Sequence, residues 1–227
     1  MAGQHSKRFQ AGTKLVDQAK IYSLKEAIGI LKQVPKTKFD ESVELAFHLR
    51  IDPKKSDHMV RGTVVLPHGT GKNVRVVVFC RGESEKDAQA AGAEHVGGLE
   101  LINKVAGGWM DFDAVVAIPD MMKDLSKLGK ILGPRGLMPS PKTGTVTQNV
   151  AQAVRDLKAG KVEFKADKQG GIHVSVAKIS FGEDQIYENA LTLIEALKAA
   201  RPASVKGDFI KSVAISTSMG PGLRMSA

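Results

Sequence analysis

Hydrophobic and polar positions alternate most regularly over residues 42–51, where Val43, Leu45, Phe47, Leu49 and Ile51 oppose Ser42, Glu44, Ala46, His48 and Arg50. A period of two is that of a strand with one face in a core and one in water. The pattern returns towards the C-terminus. Val162, Phe164 and Ala166 alternate with Lys161, Glu163, Lys165 and Asp167; after a turn at Lys168, Gln169, Gly170 and Gly171, residues Ile172, Val174 and Val176 alternate with His173, Ser175 and Ala177. This spacing predicts a hairpin. A final strand sets Val213 and Ile215 against Ser212, Ala214, Ser216 and Ser218.

Helical spacing accompanies these strands. Ser23 and Glu26 form a capping box, and Leu24, Ala27, Ile28, Leu31 and Val34 recur on one face, which predicts a helix up to Pro35. A second helix is expected over about 183–200, closed by Pro202. The middle of the chain has a different texture. Residues 74–79 and 114–118 are nearly continuous apolar runs, with helix-like segments around 84–91 and 99–106. Such runs suit strands buried on both faces of a parallel sheet.

The texture changes near Pro67, His68, Gly69, Thr70 and Gly71 and reverts near Ala159 and Gly160. The expectation is therefore a discontinuous α+β domain with an open-faced antiparallel sheet, built from residues 1–68 and 160–227, and an α/β domain inserted over 69–159.

Charge adds a partner class. The chain carries +9 with a pI near 9.6, and Lys and Arg in excess favour a polyanion. Eight acidic residues against two lysines leave residues 82–120 at −6, so the remainder carries +15. The molecule is expected to be polar, with a basic working side. The single Cys80 follows an apolar run and reads as a buried thiol, which fits a reducing compartment. The first residues lack an apolar targeting segment and no stretch approaches the roughly 20 apolar residues of a membrane span, so a soluble cytoplasmic protein without membrane contact is expected.

Few segments offer chemistry. Gly69, Thr70, Gly71 and Lys72 lack the spacing, the following Ser or Thr, and the strand-before-helix context of a phosphate loop, and read as a turn. Asp111, Asp113 and Asp120 flank a strand start, where acids commonly cap, and the six histidines show no ligand spacing, so neither metal nor cofactor nor catalytic group is expected. Residues 121–142 form a basic, Gly- and Pro-rich stretch carrying Lys123, Lys127, Lys130, Arg135 and Lys142. It is expected to be an irregular rigid loop suited to phosphate contacts.

If the four alternating strands share one sheet, its outer face presents Ser42, Glu44, Lys161, Lys165, His173, Ser175, Ser212, Ser216 and Ser218. Small hydroxyls and amines line it, and Met219, Gly220, Pro221 and Gly222 end the last strand where a partner's backbone can come near. Aromatic residues make up only 5% of the chain, so folded RNA met through phosphates and 2′-hydroxyls suits this face better than splayed bases do. The Ser218 hydroxyl is expected to bond that RNA.

LGKILGPRGLMPSPK (residues 128–142) resembles the signature of the ribosomal L-one family of the large subunit. KFDESVEL (38–45), KSDHMVRGTVVLPHGTGK (55–72), GWMDFDAVVA (108–117) and STSMGPG (216–222) resemble further family blocks in the same order. The resemblance implies a Rossmann-like insert as the second domain, binding to the stalk helix of large-subunit rRNA, help in releasing exit-site tRNA, and repression of the protein's own operon mRNA. It also implies a monomer off the ribosome, no enzyme activity, and an RNA surface at Lys38, Phe39, Ser42, Glu44, Ser212, Ser218, Met219 and Gly220.

Lys36, Lys165, Lys168, His173 and Ser216 complete the expected RNA-binding set, with Lys127, Lys130, Arg135 and Lys142 as a second, weaker contact. Four positions depart from the family pattern: Arg50 stands where glycine is usual, Ser140 and Ala166 where asparagine is, and Ser218 where threonine is. A nucleotide-using enzyme and a free-standing repressor are the alternative readings. Co-sedimentation with large subunits separates the repressor from a ribosomal constituent.

Overall fold

The computed structural model describes the chain apart from residues 1–5, 18, 53–57, 83, 206 and 227. Its first elements are helices α1 (Lys7–Thr13) and α2 (Leu24–Gln33), strands β1 (Ser42–Leu49), β2 (Arg61–Val65) and β3 (Val76–Phe79), helix α3 (Ser84–Ala90) and strand β4 (His95–Gly97). Helix α4 (Leu99–Ala106), strand β5 (Ala114–Ala117) and the short helices α5 (Met122–Leu125) and α6 (Gly129–Leu132) follow. Helix α7 (Val150–Lys158), strands β6 (Lys161–Lys165) and β7 (Gly171–Lys178), helix α8 (Glu183–Ala199), and strands β8 (Ile210–Thr217) and β9 (Leu223–Met225) complete the order. The chain divides into two compact units: residues 1–71 with 162–227, and residues 72–161.

In unit 1 the sheet order is β7-β1-β8-β9, with each neighbour antiparallel. One face is apolar: Leu45, Phe47 and Leu49 of β1 pack with Ile172 and Val174 of β7, Val213 and Ile215 of β8, and Ala27, Ile28, Leu31, Ala190, Leu193 and Leu197 of α2 and α8. Fully burying one such Leu or Phe contributes about 1.5–3 kcal/mol, so this packing fixes the register and turns the other face outward. The Ser23 capping box starts α2 as its sequence demands, with Ser23 and Glu26 each accepting the other's amide. In α8, fully buried Asn189 donates to the carbonyls of Gly69 and Val176 and accepts the His68 amide, pinning residues 68–69 to the helix.

The expected hairpin of residues 161–177 does not form as a pair. The turn closes, with the Asp167 amide donating to the Gly171 carbonyl at 2.8 Å, but β6 pairs with β2 in a separate two-stranded sheet while β7 pairs with β1. Lys161 and Lys165 therefore do not share the outer face of the four-stranded sheet. Alternation reports that a strand has a wet face and says nothing of its partner.

In unit 2 the parallel sheet runs β4-β3-β5, and Val76, Val77, Val78 and Phe79 of its central strand are wholly buried. Helices cover both faces: Leu101, Ile102, Val105, Leu125, Leu128 and Leu132 lie on one side, and Ala88, Val150, Ala153 and Val154 on the other. Cys80 is fully buried, and desolvation pushes its thiol up to about 11. Residues 121–132, the first half of the stretch over 121–142 expected as an irregular loop, are instead a chain of short helical turns whose buried Met121, Leu125, Leu128 and Leu132 recur at three and four residues. Gly129, Gly133, Pro134 and Gly136 hid that period. No helix among the described residues is long and apolar enough to cross a membrane.

Candidate nucleic-acid interface

The uncovered face of the four-stranded sheet is built in rows. Register sets Glu44 between Ser175 and Ser216, Ala46 between His173 and Ala214, and His48 between Gly171 and Ser212. The face is thus polar, with Glu44, His48, His173 and Ser212 exposed above the half-buried Ala46, Ser175, Ala214 and Ser216.

One end of the sheet concentrates the expected residues. Lys36, Lys38 and Phe39 precede β1, Ser218, Met219 and Gly220 follow β8, and antiparallel pairing brings the two segments to the same edge. Phe39 is 56% exposed and Met219 54%, large apolar side chains offered to a partner beside exposed Lys36 and Lys38. Lys36, Thr37, Phe39, Asp40, Glu41, Ile179 and Ser180 line a cleft of about 280 Å³ there.

The backbone at this edge is tightly held. The Ser42 amide donates to Ser218 Oγ at 3.1 Å, the Ser218 amide to the Ser42 carbonyl at 3.1 Å, and the Gly220 amide to the Thr217 carbonyl at 3.1 Å. Met219 is gripped from both sides: its amide donates to the Glu41 carboxylate at 3.0 Å, and its carbonyl accepts from Arg8 at 2.7 Å. At Gly220 a Cβ would sit 2.3 Å from Thr217 Oγ1, so only glycine fits this turn. Lys178 Nζ donates to Ser42 Oγ and to the Asp40 carbonyl, each at 3.1 Å, and Asp40 accepts from the Ser180 hydroxyl at 2.7 Å.

Two expectations change in consequence. Ser42 is not an open hydroxyl but a buried one, 8% exposed and held by Lys178. Ser218 lies just past the strand, exposed, with an oxygen that already accepts a protein amide.

The remaining expected residues lie elsewhere. Lys165 is exposed at the end of β6, outside the four-stranded sheet. Lys168 is exposed on the turn into β7, at the opposite end of the sheet from Met219; β1 spans about 23 Å between those ends at roughly 3.3 Å per residue. That turn is stiffened by Asp167, whose carboxylate is held below its usual range by the Gly171 and Gln169 amides, each donating at 2.7 Å. In unit 2, Lys130, Arg135 and Lys142 are exposed with no ionic partner among the described residues, whereas Lys127 pairs with Asp124 at 3.3 Å. Asp111 and Asp113, which lie before β5, both bind Arg75. Arg8, Glu41 and Lys178 were not among the expected residues; each acts through a contact distant in sequence, for which periodicity gives no signal.

Comparison with known proteins gives the surface a context. The model described as the ribosomal protein L1p/L10e family matches residues 31–221. The large ribosomal subunit protein uL1 of Protochlamydia amoebophila is 52% identical over 223 residues, covering 98% of this chain and 94% of its own. Those of Macrococcus caseolyticus and Kosmotoga olearia are also 52% identical, over 96% and 98% of this chain and 95% and 96% of their own.

Proposed function

The chain belongs to the ribosomal protein L1p/L10e family, and on that premise we propose that it is a constituent of the large ribosomal subunit that binds large-subunit rRNA through unit 1. The observation that carries the reading is the open edge of the sheet, where exposed Phe39 and Met219 stand on a backbone fixed before any partner arrives. Preorganisation of this kind leaves little ordering entropy to lose on binding. Glu44 is exposed between two serines and supplies an acceptor for 2′-hydroxyls or base amino groups, while Lys36 and Lys38 meet phosphates.

The finer reading assigns the stalk helix as the rRNA target and includes contact with exit-site tRNA during its release and repression of the protein's own operon mRNA. Unit 2, read as the inserted Rossmann-like domain, offers Lys130, Arg135 and Lys142 as a second, weaker contact. A hydroxyl-radical footprint of the chain on large-subunit rRNA tests the core of the proposal. Protection confined to one stalk helix, lost on Met219→Ala, is expected. Absence of protection on rRNA at concentrations that saturate another RNA overturns it.

A further inference from the structure

The loop that ends β8 is short, and its own side chains hold only its first residue, where Ser218 Oγ accepts the Ser42 amide; beyond that point the hold comes from outside, at two distant points. Glu41 is only 3% exposed and accepts the Met219 amide, and Arg8, on α1, donates to the Met219 carbonyl at 2.7 Å and to the Pro35 carbonyl at 3.2 Å. Pro35 opens the segment that carries Lys36, Lys38 and Phe39. One guanidinium therefore ties both exposed segments of the edge together, through a planar fork suited to two acceptors.

The placement of α1 points the same way. Gly12 is buried and lies one turn after Arg8, on the same helix face. A Cβ at Gly12 would stand 3.0 Å from Val34 Cγ1 and 3.4 Å from Pro221 Cδ. Val34 precedes the first segment and Pro221 follows the second, so the helix seats itself on the two flanks of the edge and Arg8 closes it.

We infer that Arg8 and Glu41 are positioning residues for RNA recognition: they hold the two successive peptide groups that flank Met219 and set the loop for the RNA without touching the RNA themselves. This rests on the reading that RNA binds this edge of unit 1. A charged acceptor on the first of these peptides and a charged donor on the second make stronger bonds than neutral partners would. A loop that merely led into β9 would need neither.

The test uses the full chain and a large-subunit rRNA fragment containing the stalk helix, with dissociation constants from gel shifts at several salt concentrations. Arg8→Ala is expected to weaken binding about tenfold, the loss of one charge-assisted bond, and to leave the slope of log K against log salt unchanged. In a Met219→Ala background the same substitution should cost less, because the part of its effect that passes through the Met219 side chain is already lost and only the part through the Pro35 segment remains. Arg8→Lys, which can reach one of the two carbonyls, should recover part of the loss. A slope reduced by about 0.9 would make Arg8 a phosphate ligand and overturn the positioning role. Equal losses from Arg8→Ala in both backgrounds overturn it too. Should Arg8→Ala leave affinity intact while Met219→Ala weakens it, positioning fails but RNA binding at the edge stands; should folded Met219→Ala bind normally, the reading of the edge itself fails.

Discussion

At the scale of single residues, Ser218 serves the fold and the surface together. The sequence places its hydroxyl towards RNA, and the oxygen also satisfies the Ser42 amide at 3.1 Å. Ser218→Val should therefore cost stability, about 1–3 kcal/mol for an amide left without its acceptor, or roughly 2–4 °C of melting temperature per kcal/mol in a chain of this size. RNA affinity should fall with it, and Ser218→Thr should preserve both. Circular-dichroism melts beside gel shifts check this; an unchanged melting temperature for the valine variant would show that Ser42 does not depend on that oxygen. Gly220→Ala tests the same turn by volume. Its methyl would meet Thr217 Oγ1 at 2.3 Å, on a residue only 4% exposed, so the loop must move. The expected cost is about 1–3 kcal/mol, the range for forcing volume into a packed site, divided between melting temperature and RNA affinity.

At the scale of elements, the strands that alternate were legible and their pairing was not. β1, β7 and β8 each have one buried and one wet face, so period two betrays them, and β3 and β5 show as apolar runs because both their faces are covered. β4 and β9 have three residues each, too short to show any period. The partner of β6 depended on β2, whose Gly62 leaves room for the Phe164 ring, an arrangement only tertiary structure reveals. Likewise Met219 is marked in the sequence as the end of the last strand and Phe39 by the family resemblance, while the grip of Arg8 and Glu41 on the loop has no sequence signal.

Electrostatics at this scale also yields a prediction. Asp113, at the start of β5, accepts from the Arg75 side chain at 3.0 Å and from the Arg75 amide at 3.1 Å, and these bonds hold its carboxyl below the ordinary 3.8. Because the folded value is depressed, the stabilisation is present above 3.8 and is lost as pH falls through the folded value. Asp113→Asn should flatten the acid decline of unit 2 and lower its stability at neutral pH, both modestly, since the pair is about half exposed. Trp109, the only tryptophan, stacks at a tilt 5.5 Å from Phe112, and its fluorescence reports the transition. Parallel acid limbs for the two proteins would exclude this contribution.

At the scale of the whole molecule, charge is shared out differently from its order along the chain. Thirteen basic and ten acidic residues leave residues 72–161 at +3, and the rest of the chain carries +6. Three acids of the acidic block are paired inside unit 2, where Arg75 takes Asp111 and Asp113, and Lys158 takes Glu94. The exposed lysines around the sheet of unit 1 should then carry most of the salt dependence of RNA binding. Joining residues 1–71 directly to 162–227 tests this. The exit and return strands β2 and β6 pair with each other, and Arg61 bonds Glu163 across them at 2.7 Å, so the junction falls beside strands that already hold together. The shortened chain should fold, bind the stalk fragment specifically, and keep most of the slope of log K against log salt. It should lose about 0.9 for each phosphate that Lys130, Arg135 or Lys142 met. A folded shortened chain whose slope collapses towards zero would move the principal phosphate contacts to unit 2, and specific binding by residues 72–161 alone would move recognition there as well.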